Sequence, residues 1–167
     1  DAQKIAILGF SAGGHLAGHY TNCYDIPEVR EVFPESKPVQ ASILCYPVIS
    51  ANPAFSHGGS FINLSGHVVL TEQDIARFSL ENHVSERTPP TFLWHTAEDQ
   101  GVSVMNSLVY AQKLAQYKRP FSVHIYPHGG HGLATGDEHT NQVLDPKAFQ
   151  VQDWLDAVMK WLKVTFE

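Results

Sequence analysis

Apolar residues occur along this chain in short runs separated by segments of helical periodicity. Residues 4–10 and 39–49 are apolar at successive positions, which is typical of parallel strands covered on both faces. Residues 91–95 predict a third strand. The alternation of apolar and polar residues over 121–125 predicts a fourth. We therefore expect four strands, two of them deeply buried.

Three segments between or after these strands have helical spacing: residues 13–22, 104–117 and 148–164. Strands that alternate with helices predict an α/β fold, a parallel sheet with helices on both faces. The expected inner faces are Leu16, Ala17 and Tyr20 in the first helix, Val104, Leu108, Ala111 and Ala115 in the second, and Val151, Trp154, Leu155, Val158 and Leu162 in the third.

Residues 50–90 are irregular and too long for an ordinary loop, so we expect them to contain a helix of their own. Thr71 and Asp74 have the spacing of a capping box, which predicts a helix from there through Leu80. Insertions of this kind often form lids over a site. The whole chain, 1–167, is expected to be one unit with 50–90 as a lid-like insertion.

Composition and charge disfavour several classes of function. The chain has 167 residues, is 43% hydrophobic and carries a net charge of -6, which disfavours nucleic acid and anionic membranes as partners. Its apolar runs are too short to cross a bilayer. Cys23 and Cys45 are expected to be buried free thiols, which favours a reducing, cytoplasmic compartment. Small neutral substrates fit this composition best.

Ser11 lies in a Gly-x-Ser-x-Gly pattern, residues 9–13, directly after the first predicted strand. On a tight strand-to-helix turn, a serine adopts a strained backbone with an exposed hydroxyl, and we expect side chains at Gly9 and Gly13 to clash. Gly14 is a further close-packing position. Taken alone, a serine before glycines is more often only a helix cap, so the meaning of the pattern depends on the rest of the chain.

Reactive groups gather at the carboxyl ends of parallel strands, and two further turns carry suitable side chains there. Glu98 and Asp99 follow the third strand, and His128 and His131 follow the fourth. The chain order serine, acid, histidine is that of one class of hydrolases. A histidine can accept the serine proton, and a carboxylate behind it stabilises the imidazolium.

Three motifs carry a resemblance to the α/β-hydrolase superfamily, in its esterase/lipase branch of acetyl-xylan-esterase-like and acetyl-esterase-like enzymes: residues 9–17, 90–102 and 128–133. The resemblance implies Ser11 as nucleophile, Asp99 as acid and His131 as general base. It also implies the backbone N–H of Ala12 as an oxyanion-hole donor. Glu98 and His128 are the alternatives to the acid and base. His15 and His19 could form a metal pair, but helix packing explains them better.

The resemblance implies a serine hydrolase that cleaves carboxylic esters of short acyl groups, such as acetyl esters of carbohydrates, without a cofactor or metal. Amide or peptide hydrolysis of the prolyl-oligopeptidase or arylformamidase type is the alternative within the superfamily. A non-catalytic binding or assembly module is the alternative outside it. The amino-terminal strands of the family fold have no counterpart here. We therefore expect a carboxy-terminal, partial fold completed by an amino-terminal half or a second copy.

Overall fold

The predicted strands form one parallel sheet. The structure is a computed structural model that describes residues 1–140 and 146–167. Within this part, the strands lie in the order β1-β2-β3-β4, and each neighbouring pair is parallel. This confirms the predicted α/β class. The strands are β1 (Ala6–Phe10), β2 (Ala41–Cys45), β3 (Thr91–Thr96) and β4 (Phe121–Tyr126).

Helices connect the strands and follow the last one. The two short 3-10 segments are Leu80–Asn82 and Pro146–Gln152. No helix of the described residues is long and apolar enough to cross a membrane. The α-helices are α1 (Ala12–Cys23), α2 (Pro27–Val32), α3 (Gly58–Ser65), α4 (Glu72–Phe78), α5 (Met105–Gln116) and α6 (Asp153–Thr165).

Side chains of β2 and β3 alternate between two cores, one on each face of the sheet. Phe92 and Trp94 pack against α6, where Trp154 and Val158 are buried. Leu93 points to the opposite face, which α1 and α5 cover. The continuous apolar run of β2 thus follows from burial on both faces, as the sequence predicted, whereas β1, for which the same was predicted, is only partly buried.

The predicted inner face of α5 is partly wrong: Ala111 is buried as predicted, but the other three predicted residues are not. Leu108 is 41% exposed, whereas Tyr110 and Leu114 are buried. The true inner face also contains the buried polar residues Asn106 and Ser107, whose side chains hydrogen-bond to buried neighbours. Because hydropathy counts such residues as outward-facing, the periodicity gave the wrong rotation.

The predicted inner face of α1 is also partly wrong, because Leu16 is 71% exposed. Ala17 is buried as predicted, and together with Gly18 it lets the helix lie close to the sheet. A side-chain carbon added at Gly18 would be 2.9 Å from a methyl of Leu80. In the carboxy-terminal helix, Trp154 and Val158 are buried as predicted, but Leu155 is exposed.

Residues 50–90 contain α3 and α4 in place of a long loop. Thr71 caps α4 as predicted: its side chain accepts from the Asp74 N–H, and the Asp74 carboxylate accepts from the Thr71 N–H. Hydrogen bonds from the Thr71 backbone and from the His67 and Thr71 side chains lower the pKa of Asp74 to about 2. The capping box thus fixes the start of α4 within this segment.

Strand β1 forms one edge of the sheet. It pairs with β2 on one side, and Leu8 near its middle is 45% exposed. An open edge that carries exposed apolar side chains is a surface on which another strand can pair.

Candidate active site

Ser11 lies on the turn between β1 and α1 with an unusual backbone, at φ 53° and ψ −122°. Hydrogen bonds hold it there. Its N–H donates to the Cys45 carbonyl at 3.0 Å, and its carbonyl accepts from the N–H groups of Gly14 and Val48 at 3.0 and 3.1 Å. A left-handed backbone at a non-glycine residue costs free energy, so these contacts stabilise a strained conformation. Such strain is typical of a functional turn.

The glycines of the turn have different roles. A side-chain carbon at Gly9 would collide with the Gly13 carbonyl group and the Ala17 side chain, and one at Gly14 would lie 2.7 Å from Pro47. Nothing lies within 4 Å of the same position at Gly13, so the expected clash at Gly13 is wrong. Gly13 matters at this turn because its backbone carbonyl lies against Gly9, and a side chain at Gly13 itself would meet no other atom within 4 Å.

His131 meets Ser11 from the loop after β4. The Ser11 Oγ lies 2.7 Å from His131 Nε2, across 120 residues of sequence. The other ring nitrogen, Nδ1, lies 2.7 Å from Asp99 Oδ2. Because Asp99 accepts at Nδ1, the neutral ring carries its proton there and leaves Nε2 free to accept from the serine hydroxyl.

Asp99 is buried at the end of the turn after β3, and its carboxylate accepts on both oxygens. Oδ1 takes the N–H groups of Gly101 and Val102, each at 2.8 Å, and Oδ2 faces His131 and His95. Burial by itself would raise the pKa of this carboxyl. The hydrogen bonds from His131, His95 and the Val102 N–H outweigh that effect and hold the pKa well below its usual range. Asp99 is thus a buried anion placed behind His131.

Glu98 and His128, the sequence alternatives, pair with each other and not with Ser11. His128 Nδ1 lies 3.0 Å from Glu98 Oε1, and the Gly129 N–H donates to the other carboxylate oxygen at 3.4 Å. Both side chains are well exposed. This pair links the acid turn to the histidine loop, while Asp99 and His131 approach the serine.

Ala12 is the first residue of α1, directly after Ser11. The N–H groups in the first turn of a helix have no intrahelical acceptor, and the helix dipole favours negative charge there. The Ala12 N–H is therefore in a position that favours a bound anion.

His15 and His19, four residues apart on α1, have a packing role. His15 is buried, its Nδ1 lies 3.2 Å from the Val48 carbonyl oxygen, and its ring packs edge-on against Phe61. Burial and then the neighbouring His19 lower the pKa of His15 to about 4. Among the described residues, no group of three or more histidine, cysteine, aspartate or glutamate side chains is placed to hold a metal ion.

Tyr46 contacts the site, although no sequence pattern pointed to it. It follows β2 with a positive φ of 36°, and its ring lies 5.1 Å from the His131 ring in an edge-on arrangement. Its hydroxyl accepts from the Ala134 N–H at 3.0 Å. Burial of the side chain raises the pKa of Tyr46 to about 12. A tyrosine between a strand end and Pro47 gives no sequence signal for such a contact.

A cavity of about 340 Å³ opens beside the turn, between α1 and the helices of residues 50–90. Most of its lining is apolar. Ala12 lies on its wall, so the cavity reaches the residue next to the serine. The lining residues are Ala12, His15, Leu16, His19, Ser60, Phe61, Leu64, Arg77 and Phe78.

Comparison with known proteins gives one family model and several relatives. The BD-FAE family model matches residues 1–114. The chain is 37% identical over 142 residues to endo-1,4-beta-xylanase B of Butyrivibrio fibrisolvens, a match that covers 83% of this chain and 22% of the relative. It is 33% identical over 163 residues to an acetylxylan esterase of Xylanibacter ruminicola, with 95% and 31% covered.

Comparison with solved structures also gives ester hydrolases. The chain is similar to an acetyl ester-xyloside bifunctional hydrolase from Caldicellulosiruptor lactoaceticus, with a TM-score of 0.72, 37% identity, and coverage of 95% of this chain and 58% of that one. A carboxylesterase from Lactobacillus plantarum matches with a TM-score of 0.76 and 29% identity, at 98% and 59% coverage. The chain spans less than a third of the two curated relatives and under three fifths of these two structures.

Proposed function

Because this chain belongs to the BD-FAE family and has the fold of the esterase-like α/β hydrolases, we propose that it is the part of a serine hydrolase that cleaves carboxylic esters. The observation that carries the proposal is the hydrogen-bonded series from Ser11 through His131 to Asp99. Serine is a weak nucleophile until a base removes its proton, and this series supplies that base.

In the first step, the Ser11 oxygen attacks the carbonyl carbon of the ester while its proton passes to His131 Nε2. The negative charge of Asp99 stabilises the imidazolium that forms. The carbonyl oxygen becomes an oxyanion, and the Ala12 N–H donates to it. When the tetrahedral intermediate collapses, the bond to the alcohol oxygen breaks and the imidazolium returns the proton to that oxygen. The acyl group remains on Ser11.

In the second step, water attacks the acyl-enzyme in the same way. His131 takes a proton from the water, and the hydroxide bonds to the acyl carbon. Collapse of the second intermediate releases the carboxylic acid, and His131 gives its proton back to the Ser11 oxygen. The site returns to its starting state with one water consumed.

We place the bound substrate in the cavity along α1. An acetyl group is much smaller than this volume of about 340 Å³, so the cavity has room for part of the alcohol as well. The relatives include proteins described as an acetylxylan esterase and an acetyl ester-xyloside hydrolase, which supports acetyl esters of carbohydrates as the substrate class. Residues 50–90 contribute Phe61 and Phe78 to the wall, which supports their role as a lid.

The open edge at β1 also belongs to this proposal. Leu8 and Ile5 are about half exposed there, and the relatives extend well beyond the length of this chain. We propose that another segment of the protein, or a second copy, pairs with β1 and supplies the remaining donor of the oxyanion hole.

Hydrolysis of p-nitrophenyl acetate by the wild type and the Ser11→Ala variant tests the function. We expect the variant to lose at least 10³-fold in kcat. Ser122→Ala, a serine on β4 away from the site, is the control and should retain full activity. The corresponding amide, p-nitroacetanilide, should be hydrolysed far more slowly than the ester. A Ser11→Ala variant with wild-type turnover, or faster cleavage of the anilide, would contradict the proposal.

A further inference from the structure

His95 lies behind the acid of the site, and no step above uses it. It is the fifth residue of β3, and its side chain has no exposure to solvent. Its Nε2 faces two acceptors, the Val102 carbonyl oxygen at 2.8 Å and Asp99 Oδ2 at 3.3 Å. Its Nδ1 lies 2.8 Å from the Ser107 hydroxyl oxygen on α5.

These neighbours determine where the ring carries its proton. A carbonyl oxygen and a carboxylate oxygen can only accept, so Nε2 must be the N–H. The neutral ring then has a lone pair on Nδ1, and the Ser107 hydroxyl is the donor that matches it. A serine hydroxyl rotates freely and can supply that hydrogen at no cost in geometry. The Val102 carbonyl and the Asp99 carboxylate therefore select the Nε2–H tautomer of His95, and the Ser107 hydroxyl is compatible with it.

The same carboxylate oxygen of Asp99 thus accepts from two imidazoles, His131 on the substrate side and His95 on the buried side. We propose that His95, with its tautomer fixed by the two acceptors at Nε2, is a positioning residue for the Asp99–His131 pair. It fixes the orientation of the carboxylate. Its hydrogen bond to Asp99 Oδ2 also weakens the attraction between that oxygen and the His131 ring. This inference rests on the proposed function.

Two effects follow when the His95 donor is removed. The carboxylate loses one of its four donors, so its orientation and that of His131 become less well defined and kcat falls. Asp99 Oδ2 also keeps more negative charge for His131, which favours the imidazolium. The imidazolium is the inactive form of the base, so the midpoint of the rising limb of kcat/KM against pH moves to higher pH. Among the described residues, Tyr46 packs against His131, and Glu98, which precedes Asp99, pairs with His128.

The variant pair His95→Leu and His95→Gln separates this role from packing. The leucine removes both ring nitrogens, whereas the glutamine amide can still donate at the place of Nε2. For His95→Leu we expect kcat to fall about tenfold, with KM unchanged and the pH midpoint raised by about half a unit. His95→Gln should recover most of kcat and the wild-type midpoint. A folded His95→Leu variant with the wild-type midpoint would overturn the proposal, as would a glutamine variant as impaired as the leucine variant.

A second measurement needs no variant at this buried position. In the wild type with ¹⁵N-labelled histidine, long-range ¹H–¹⁵N spectra distinguish a protonated Nε2 from a protonated Nδ1. We expect the Nε2–H tautomer at His95 between pH 6 and 8, and the Nδ1–H tautomer there would contradict the proposal. Neither outcome depends on turnover. If Ser11→Ala retained activity, the proposed function would fail while the tautomer of His95 could still be measured.

Discussion

Ser11 Oγ and His131 Nε2 lie 2.7 Å apart, although 120 residues separate them in the chain. The serine is on the turn after β1 and the histidine is on the loop after β4, the two edge strands of the described sheet. The pair can meet only because the strands are parallel, so that the turns after them lie at the same end of the sheet. Its geometry therefore depends on the whole sheet.

Replacing Asp99 tests whether that carboxylate supports the base. In Asp99→Asn, the amide group that replaces Oδ2 no longer accepts from His131 Nδ1, so the ring is not held in the tautomer that accepts from Ser11. We expect kcat to fall by about 10³- to 10⁴-fold. Glu98→Gln is the matched control on the neighbouring residue, and its kcat should stay within about threefold of the wild type. The measurement is steady-state ester hydrolysis. Equal losses of kcat in the two variants would contradict the assignment of Asp99 as the acid.

The lowered pKa of Asp99 predicts how stability depends on pH. A carboxyl whose pKa is lower in the folded than in the unfolded chain stabilises the fold above its unfolded pKa of about 4. This contribution, of the order of 2 kcal/mol, is lost as the pH falls further toward the folded pKa. Urea unfolding between pH 7 and pH 3 should therefore show a wild-type advantage over Asp99→Asn that shrinks below about pH 4. A difference that stays constant over this range would contradict the assigned direction.

The two glycines at the serine turn predict opposite results for the same substitution. Gly9→Ala introduces a side chain that collides with the Gly13 carbonyl, so we expect it to destabilise the fold by more than about 2 kcal/mol. Gly13→Ala, its control, meets nothing within 4 Å and lies near the start of α1. It should be neutral or stabilising by up to about 1 kcal/mol. Chemical denaturation measures both, and similar losses would mean that the turn is not packed as described.

Tyr46 predicts a coupling between the end of β2 and the histidine loop. Tyr46→Phe removes the acceptor of the Ala134 N–H and should destabilise the fold by about 1 kcal/mol. We expect kcat to fall as well, because His131 is on the same loop as Ala134. Tyr110→Phe removes a buried hydroxyl that contacts Asn22 elsewhere, so it should cost similar stability without changing kcat. Equal kcat values in the two variants would exclude the coupling.

Filling the cavity tests its place in substrate binding. Leu64 lies on the cavity wall, whereas Ile62, on the same helix, is not among the lining residues. Leu64→Trp should lower kcat/KM for an acetylated xylo-oligosaccharide by about tenfold and leave p-nitrophenyl acetate within about threefold. Ile62→Trp should change neither. A Leu64→Trp variant that affects neither substrate would place the binding site elsewhere.

Local patterns were sufficient for most of the fold. Strand β2 was found because residues buried on both faces are apolar at successive positions, and β4 was found from its alternation of apolar and polar residues. The cap of α4 was found because Thr71 and Asp74 satisfy each other's backbone. The rotation of α5 was missed because Asn106 and Ser107 are buried with partners that lie far away in the sequence. Hydropathy records the polarity of a side chain but not whether another segment satisfies it.

The order of the elements, the serine turn and the candidate residues at each strand end could be inferred from the sequence, because these features depend on neighbours along the chain. The packing of the strands was needed to show that His131 lies between Ser11 and Asp99, while Glu98 and His128 pair with each other. It also brought Tyr46 and His95 to the site. A hydrogen bond requires atoms placed to within a few tenths of an ångström. That placement is set by the packing of the parallel strands and by the loops that follow them, not by spacing along the chain.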